Sequence, residues 1–239
     1  MSELGGESTA AVPVQPLDAG RCRVRGRDAR ETPVREVDWN HPFEEESRLV
    51  KRTLGAVPYV YPVPIVLVGA LVDGRPNYAT VGDCAIMGLN PAVVAVSLGA
   101  GHHTTKGVLE HRAFGISIPQ AKDLALIDYL GQVSGREIDK SKLVSTFFGE
   151  LETAPMAESA PVAMECRVVH EARVQHRCIF IGAVVQTYVE EQFIDKDGRT
   201  VAPLRELDPI LYDLGNRYSR AGETIGQGYK EGADYAARA

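Results

Sequence analysis

The sequence predicts a mainly β, antiparallel domain with short helical insertions. Runs of β-branched and apolar residues recur from Pro62 onward, and turn signals such as Asp73-Gly74 and Asn90-Pro91 separate them. Helical periodicity is confined to short stretches between these runs. No Gly-x-Gly-x-x-Gly motif follows a predicted strand, which excludes a Rossmann-type nicotinamide domain.

The first predicted strands form a hairpin, and a third strand follows it. Ile65–Val68 is a β-branched run, Asp73-Gly74 is a turn, and Asn77–Asp83 is the returning strand. After the turn at Asn90-Pro91, the run Val93–Leu98 predicts the third strand.

The middle of the chain combines a helix, a strand and a helical insertion. We expect a helix from about Thr105 to His111 and a strand over Phe114–Ile118. Residues 121–127 carry apolar side chains at helical spacing, and Ser141–Phe148 predicts a second short amphipathic helix.

Two longer strands follow the insertion. Val162–Val168 alternates with a period of two, which predicts a half-buried strand in the wall of a barrel. Cys178–Val189 is apolar on both faces, so the core must cover one face, and a helix or a second subunit the other. This strand indicates a dimer. The segment Tyr212–Tyr229 shows no helical period.

The composition is that of an ordinary globular protein. Of 239 residues, 44% are hydrophobic and 24% are charged. The net charge of −6 and the pI near 5.6 argue against a nucleic-acid partner, which normally requires a basic face. No run of about 18 apolar residues occurs, so we also expect no membrane partner.

The N-terminal segment is a predicted extension. Residues 1–45 mix Gly, Pro, Arg and Glu without periodicity, which predicts poor order or docking on a partner through the aromatic cluster Trp39–Phe43. We expect the folded domain to span residues 46–239. The first residues lack the cationic start and apolar run of a secretory signal, so we expect a cytoplasmic protein.

The four cysteines show no Cys-x-x-Cys pairing and predict reduced thiols. Cys166, His170, His176 and Cys178 are ligand types that zinc prefers. On one strand, however, Cys166 and His170 would lie about 13 Å apart at roughly 3.3 Å per residue, too far to share one ion. We therefore predict no metal site.

The segment Ser97–Lys106 predicts an anion site. A predicted strand runs through glycines into a predicted helix start that carries His102, His103 and Lys106. A helix N-terminus bears about half a positive charge and four unpaired N–H groups, so each cation there costs about 0.3 to 1 kcal/mol. A bound phosphate would compensate these cations, and an exposed, solvated loop is the alternative. Neighbours on an extended segment point to opposite sides, so we expect His103 to face the ligand.

Eight motifs, in their order and spacing, resemble those of one known family. They are Gly55–Pro64, Asp73–Asn77, Val81–Pro91, His103–Val108, Phe114–Pro119, Val133–Arg136, Ala154–Met156 and Met164–Cys166. Over roughly residues 51 to 232, the chain resembles the flavin reductase-like, flavoredoxin-type family of FMN-binding split β-barrels. It departs from the family's pattern at Ser117, where an Asn is expected, and at Leu130, where a Cys is common.

The resemblance implies an antiparallel, Greek-key-like split barrel that binds FMN near the interface of a homodimer. It implies that the isoalloxazine ring lies along Thr80, Val81, Asp83, Cys84 and Ala85. It also implies that the ribityl phosphate is held by Ser97, His103, Thr104 and Lys106. The phosphate set overlaps the anion site that the charge pattern predicts.

Two of these residues have alternative roles. Cys84 would either exchange electrons with the ring or fill space where the backbone approaches a ligand closely. Asp83 would either accept the flavin N3–H or cap a turn through its own backbone.

The resemblance implies an oxidoreductase that transfers electrons from NAD(P)H to flavin or another acceptor. Because the flavin supplies the redox chemistry, the sequence indicates no catalytic acid or base. A non-catalytic FMN electron carrier, reduced by a partner protein, is the alternative. A β-barrel that binds oligonucleotides or sugars is disfavoured, because the net charge is negative and Trp39 lies outside the predicted barrel.

Overall fold

The computed structural model describes residues 51–196, 198 and 201–232. The predicted extension over residues 1–45, its cluster Trp39–Phe43 and the domain start at residue 46 lie outside the described residues and stay predictions. The compact unit that contains the described strands begins at Leu54.

The described α-helices are α1 (His103–His111), α2 (Leu124–Gln132) and α3 (Leu204–Leu207). The described strands are β1 (Val63–Pro64), β2 (Val66–Val72), β3 (Arg75–Val81), β4 (Cys84–Leu89), β5 (Ala92–Gly99), β6 (Ala113–Ile118), β7 (Thr146–Phe147), β8 (Met156–Ala157), β9 (Val162–Val174), β10 (Arg177–Val189), β11 (Leu211–Asp213) and β12 (Arg217–Ser219).

A seven-stranded antiparallel sheet forms the body of the domain. Its strand order is β3-β2-β6-β9-β10-β5-β4, so β3 and β4 are its two end strands. In sequence, however, only Gly82 and Asp83 separate β3 from β4. The sheet must therefore curl until its ends meet at this connection. The N–H of Ser97 on β5 donates to the carbonyl of Asp83 at 2.9 Å, which extends the pairing of β4 with β5 by one residue. The mainly β, antiparallel barrel is confirmed.

Two hydrophobic clusters lie on opposite faces of β2. Val68 packs inside the barrel with Phe180 of β10, whereas its neighbour Leu67 packs beneath α2 with Ile127 and Leu130. Successive side chains of a strand point to opposite faces, so a strand that is apolar throughout needs cover on both sides. Helix α2 supplies that cover on the outer face.

A buried carboxylate on β9 holds the segment that leads into β8. Glu165 is fully buried and accepts hydrogen bonds from the N–H groups of Glu150 at 3.0 Å and Leu151 at 2.6 Å. It also accepts from the Tyr188 hydroxyl at 2.7 Å, and this bond raises the pKa of Tyr188. Three donors compensate the loss of hydration at this carboxylate.

Most of the predicted elements are confirmed. The β2–β3 hairpin turns at Asp73 and Gly74, whose φ angles of +50° and +76° are those that a tight hairpin needs. The strands predicted over Val93–Leu98 and Phe114–Ile118 correspond to β5 and β6. Helix α1 begins at His103, two residues earlier than we expected.

The helix predicted over Ser141–Phe148 is wrong. The structure has a single 3-10 turn at Lys140–Lys142, followed by the short strand β7. The Asp139 carboxylate accepts hydrogen bonds from the N–H of Ser141 at 3.2 Å and from its hydroxyl at 2.6 Å. This bond caps the 3-10 turn at its start. The residues that follow do not continue the helix, because Thr146 and Phe147 pair with β8 instead.

The sequence analysis also missed β4, and its prediction that a helix or a second subunit covers the second face of β10 stays a prediction. Strand β4 exposes most of its apolar side chains, so it lacks the alternation of a half-buried strand. On β10, Cys178 and Phe180 are buried, but Gln186 and Thr187 are exposed within the single chain. No helix in the described part of the chain is long and apolar enough to cross a membrane.

The two positions at which the sequence departs from the family's pattern have structural contacts. Buried Ser117 on β6 accepts a hydrogen bond from the N–H of Ala157 at 2.9 Å. Leu130 packs in the cluster beneath α2.

We predict that Gly107→Ala destabilises the fold by about 1 to 3 kcal/mol, as overpacking typically does. A Cβ at Gly107 would collide with the carbonyl of Leu71 and lie 2.9 Å from Val72 Cγ2, so α1 would have to move away from β2. Gly101→Ala is the matched control, since a Cβ there meets nothing within 4 Å. Urea unfolding followed by circular dichroism measures both, and equal midpoints would contradict the close approach.

Candidate functional site

The start of α1 lacks the groups that usually stabilise a helix N-terminus. Its first turn contains no acidic residue, and no side chain caps it at His102. The Thr105 hydroxyl instead donates to the carbonyl of Gly99 at 2.8 Å, which ties the turn back to β5. The helix start therefore retains the positive end of the dipole, as the charge pattern predicted.

A cavity of about 240 Å³ opens between this helix start, β3 and the segment after α2. We call it the helix-start cavity; Thr80, His102, His103, Thr104 and Lys140 are among its lining residues. Thr104 is 2% exposed. The side-chain amide oxygen of Asn77 accepts hydrogen bonds from the Thr104 hydroxyl at 2.7 Å and from the backbone N–H of Thr104 at 3.3 Å. Asn77 thus fixes the helix start against β3.

Lys140 is a buried cation that the sequence analysis missed. It is 5% exposed, and its ammonium donates to the carbonyls of Tyr78 and Leu130 at 2.8 Å each. No carboxylate of the described residues pairs with it. Burial lowers the pKa of Lys140. In sequence Lys140 is one of several charged residues that follow the Val133–Arg136 motif, and no local pattern distinguishes it.

A second cavity, the charged cleft, adjoins the helix-start cavity. Its volume is about 440 Å³, and both cavities are lined by Asn77, His103, Gly135 and Lys140. Burial lowers the pKa of His103, and the Arg136 guanidinium lowers that pKa further. Cationic groups therefore surround the imidazole that we expected to face a ligand.

A third cavity, the apolar groove, contains another part of the predicted site. It measures about 420 Å³, and Asp83, Cys84, Ala85 and Ser97 line it together with apolar residues such as Ile179. The backbone bends at Gly82 and Asp83. Thr80 therefore faces α2, whereas Asp83, Cys84 and Ala85 line the groove. The Thr80 hydroxyl donates to the carbonyl of Ile127 at 2.6 Å.

Arg177 links two of the predicted site residues and was also missed. Its guanidinium forms an ion pair with Asp83 and donates to the hydroxyl and the carbonyl of Ser97 at 3.0 Å and 2.6 Å. In sequence Arg177 comes just before the strand predicted over Cys178–Val189, and no local pattern distinguishes it. The antiparallel pairing of β10 with β5 brings it to the groove.

Two predicted site residues line none of these three cavities. Val81 is 6% exposed and belongs to the barrel core. Lys106 is half-exposed, and its ammonium lies 2.6 Å from the Asp73 carboxylate. The hydrogen bond and charge of Lys106 lower the pKa of Asp73. A side chain of the protein thus already supplies one anion for the cations at this helix start.

The thiol of Cys84 is held in its protonated form. Burial raises the pKa of Cys84 to about 11, and burial likewise raises that of Cys166 to about 12. Thiolate is the reactive form, so this environment favours the space-filling role over a redox role. In the part of the chain that the structure describes, no three metal-binding side chains form a group that could hold an ion.

Comparison with known proteins decides the family. The family model described as flavin reductase like domain matches residues 59–219. The chain belongs to the flavin reductase-like family. The barrel and the family that the motifs predicted are thereby confirmed, and membership supports a flavin-related redox function.

Solved structures agree with this assignment. Flavoredoxin from Methanosarcina acetivorans is 31% identical with a TM-score of 0.75, covering 78% of this chain and 100% of that one. Flavoredoxin of Desulfovibrio vulgaris (Miyazaki F) is 31% identical with a TM-score of 0.70, and the match covers 77% of this chain and 100% of that one. An FMN-binding protein from Thermus thermophilus is 28% identical with a TM-score of 0.64, and the match covers 75% of this chain and 100% of that one. A search of curated proteins gave no match.

We predict that Cys84 reacts slowly with iodoacetamide at pH 8 and faster as the pH rises toward 11. With its pKa at about 11, about one thiol in a thousand is ionised at pH 8. Peptide-resolved mass spectrometry measures the rate, with urea-unfolded protein as the reference for an accessible thiol. A native rate at pH 8 equal to the unfolded rate would contradict the burial of this thiol.

Proposed function

We propose that this protein is an FMN-binding oxidoreductase that passes electrons from NAD(P)H to flavin or another acceptor. The observation that carries the proposal is the buried ammonium of Lys140, which pairs with no carboxylate of the described residues. It lines the same cavity as a helix start whose first turn contains no acidic residue. In a flavin reductase-like chain, the phosphate of FMN is the anion that fits this position. The FMN-binding protein from Thermus thermophilus, which is 28% identical, supports the choice of FMN.

The phosphate would bind where the helix-start cavity and the charged cleft meet. Lys140 and the N–H groups of the α1 start supply positive charge there, and His103 lines both cavities. Thr104, held by Asn77, sets the position of the helix start. Lys106 joins this set only when its ion pair with Asp73 opens, and Ser97 is held by Arg177 at the apolar groove.

The isoalloxazine ring would lie along the backbone from Thr80 to Ala85. In this arrangement Val81 contributes its backbone, because its side chain belongs to the core. The Arg177 guanidinium holds Asp83 and Ser97 at one end of the apolar groove. A bound flavin would supply the redox chemistry, and the chain would bind it, orient it and exclude water from one ring face. The protonated thiol of Cys84 serves as a spacer.

A flavin carrier is the second candidate. The two similar proteins at 31% identity are flavoredoxins, and the described residues offer no dedicated acid or base in the apolar groove other than Asp83. Such a carrier would hold FMN tightly and receive electrons from a partner protein. The redox partner, the nicotinamide donor and the cytoplasmic location stay predictions.

The function is tested by flavin titration and turnover. We expect the purified chain to bind FMN and, with FMN added, to oxidise NADH or NADPH steadily, as absorbance at the nicotinamide band would record. A stably yellow protein without nicotinamide turnover would support the carrier instead. Failure to bind any flavin would contradict both candidates.

The phosphate position is tested in the same assay by comparing FMN with riboflavin, which lacks the phosphate. We expect Lys140→Met to weaken FMN about 10-fold to 100-fold, as loss of a charge-assisted bond does, and to leave riboflavin nearly unchanged. A structural role alone would weaken both flavins equally. Lys106→Met measures how much the Lys106 ammonium, which is paired with Asp73, contributes to FMN affinity. Lys122→Met is the control, because Lys122 is exposed and lines none of the three cavities.

We also propose that the chain forms a homodimer through β4. This end strand exposes Ile86 by 68%, Met87 by 55% and Leu89 by 83%, directly after the groove residues Cys84 and Ala85. A contiguous apolar edge of this kind is typical of an interface, and a second copy supplies the same apolar surface in return. The flavin groove would then adjoin the interface.

Light scattering should therefore give twice the chain mass of 25.9 kDa. We expect the double variant Ile86→Glu, Met87→Glu to be monomeric, because burying charges in an apolar interface costs at least about 2 kcal/mol. Leu204→Glu is the matched control, since Leu204 on α3 is 61% exposed and remote in sequence. A monomeric wild-type protein, or a double variant that stays dimeric, would contradict the interface.

A further inference from the structure

Arg177 lies between residues of two cavities. It precedes Ile179 by two positions on β10, so both side chains extend from the same face of the strand, and Ile179 lines the apolar groove. The Arg177 guanidinium pairs with Asp83 and donates twice to Ser97. Together with burial, its charge also lowers the pKa of His102, which lines the helix-start cavity. The positive charge of Arg177 therefore acts on both compartments of the proposed flavin site.

The apolar groove has one charged side chain, and Arg177 neutralises it. Among the described residues that line the groove, only Asp83 carries a charge, since burial keeps the Cys84 thiol protonated. The side chains of Arg177 and Asp83 are 31% and 66% exposed, so water screens their charges only in part. A guanidinium stays protonated at physiological pH, and the pair with ionised Asp83 is therefore neutral as a whole.

Reduction changes the charge of a flavin. When the neutral isoalloxazine ring takes up two electrons and one proton, one negative charge remains on it. A bare carboxylate beside the ring repels that charge, most strongly where water is excluded, whereas a neutralised carboxylate does not. Each tenfold gain in affinity for the reduced form over the oxidised form raises a two-electron potential by about 30 mV.

We propose that Arg177 is a positioning residue that raises the reduction potential of bound FMN by neutralising Asp83 at the end of the apolar groove. This inference rests on the proposed function, since it requires the isoalloxazine ring to lie beside Asp83. The two bonds to Ser97 fix the guanidinium, so its charge stays at one place. A higher potential favours electron transfer from the donor to the flavin and keeps the reduced form bound, in an enzyme and in a carrier alike.

The midpoint potential of bound FMN tests this role. Dithionite reduces the full-length protein with FMN under nitrogen, beside a dye of known potential, and absorbance measures the oxidation state of both. We expect Arg177→Met to lower the affinity for reduced FMN relative to oxidised FMN at least about tenfold, which lowers the potential by about 30 mV. Arg177→Lys keeps the positive charge and should retain most of the wild-type potential.

Asp83→Asn separates the effect of charge from that of structure. The amide keeps the size of the side chain and an oxygen that can accept a hydrogen bond, and it leaves the Arg177 charge unpaired. The potential should therefore rise, and the double variant Arg177→Met, Asp83→Asn, which carries neither charge, should return close to the wild-type value. A structural role alone would weaken both oxidation states equally and would leave the potential unchanged. Should Arg177→Met not fold, the rise in Asp83→Asn still tests the charge.

Arg173→Met is the matched control, because Arg173 lies on the same β9–β10 hairpin, pairs with Glu171 and lines none of the three cavities. It removes the same formal charge, so its potential measures the general effect of net charge. Equal potentials in the wild-type protein and Arg177→Met, or a lower potential in Asp83→Asn, would overturn the inference while leaving FMN binding intact. Absence of flavin binding by the wild-type protein would overturn the proposed function, and the inference with it.

Discussion

The ammonium of Lys140 is the contact on which the arrangement of the site depends. By donating to the carbonyls of Tyr78 on β3 and Leu130 on α2, it joins an end strand of the sheet to the helix that covers it. It also leaves a positive charge in the wall between two cavities. Burying a charge is expensive, and here carbonyl dipoles alone offset the lost hydration. An anion bound beside it would lower that cost, so the phosphate binding that we propose would also stabilise the fold at this ammonium.

The predicted site residues separate into two groups because the chain bends at the end of β3. Thr80, His103 and Thr104 surround the helix-start cavity, whereas Asp83, Cys84, Ala85 and Ser97 surround the apolar groove. A ligand with an apolar planar ring and an anionic tail matches this division between an apolar and a cationic compartment. Arg177 holds residues of the apolar groove, and Asn77 holds the helix start at the other cavity.

The elements with strong local signals could be predicted from the sequence. Asp73-Gly74 and the β-branched runs around it specify a hairpin by backbone preference alone, and α1 follows from its position after a glycine turn. Strand β4 could not be predicted, because most of its apolar side chains are exposed and lack the alternation of a half-buried strand. Ser141–Phe148 was misassigned, since the pairing of Thr146 and Phe147 with β8 outweighs the local helical spacing. Arg177 and Lys140 reach the site through pairings between distant parts of the chain, which spacing in sequence does not report.

The connection of Gly82 and Asp83 has a consequence for the dynamics of the barrel. It spans three peptide units between Val81 and Cys84, so the Cα atoms of these two residues can separate by no more than about 11 Å, whatever happens to the hydrogen bonds of the neighbouring strands. The end of β3 and the start of β4 therefore stay close together when other pairings in the sheet open. So short a loop adds little entropy to the open form, and the wall of the apolar groove at Asp83 and Cys84 remains tethered to the end of β3.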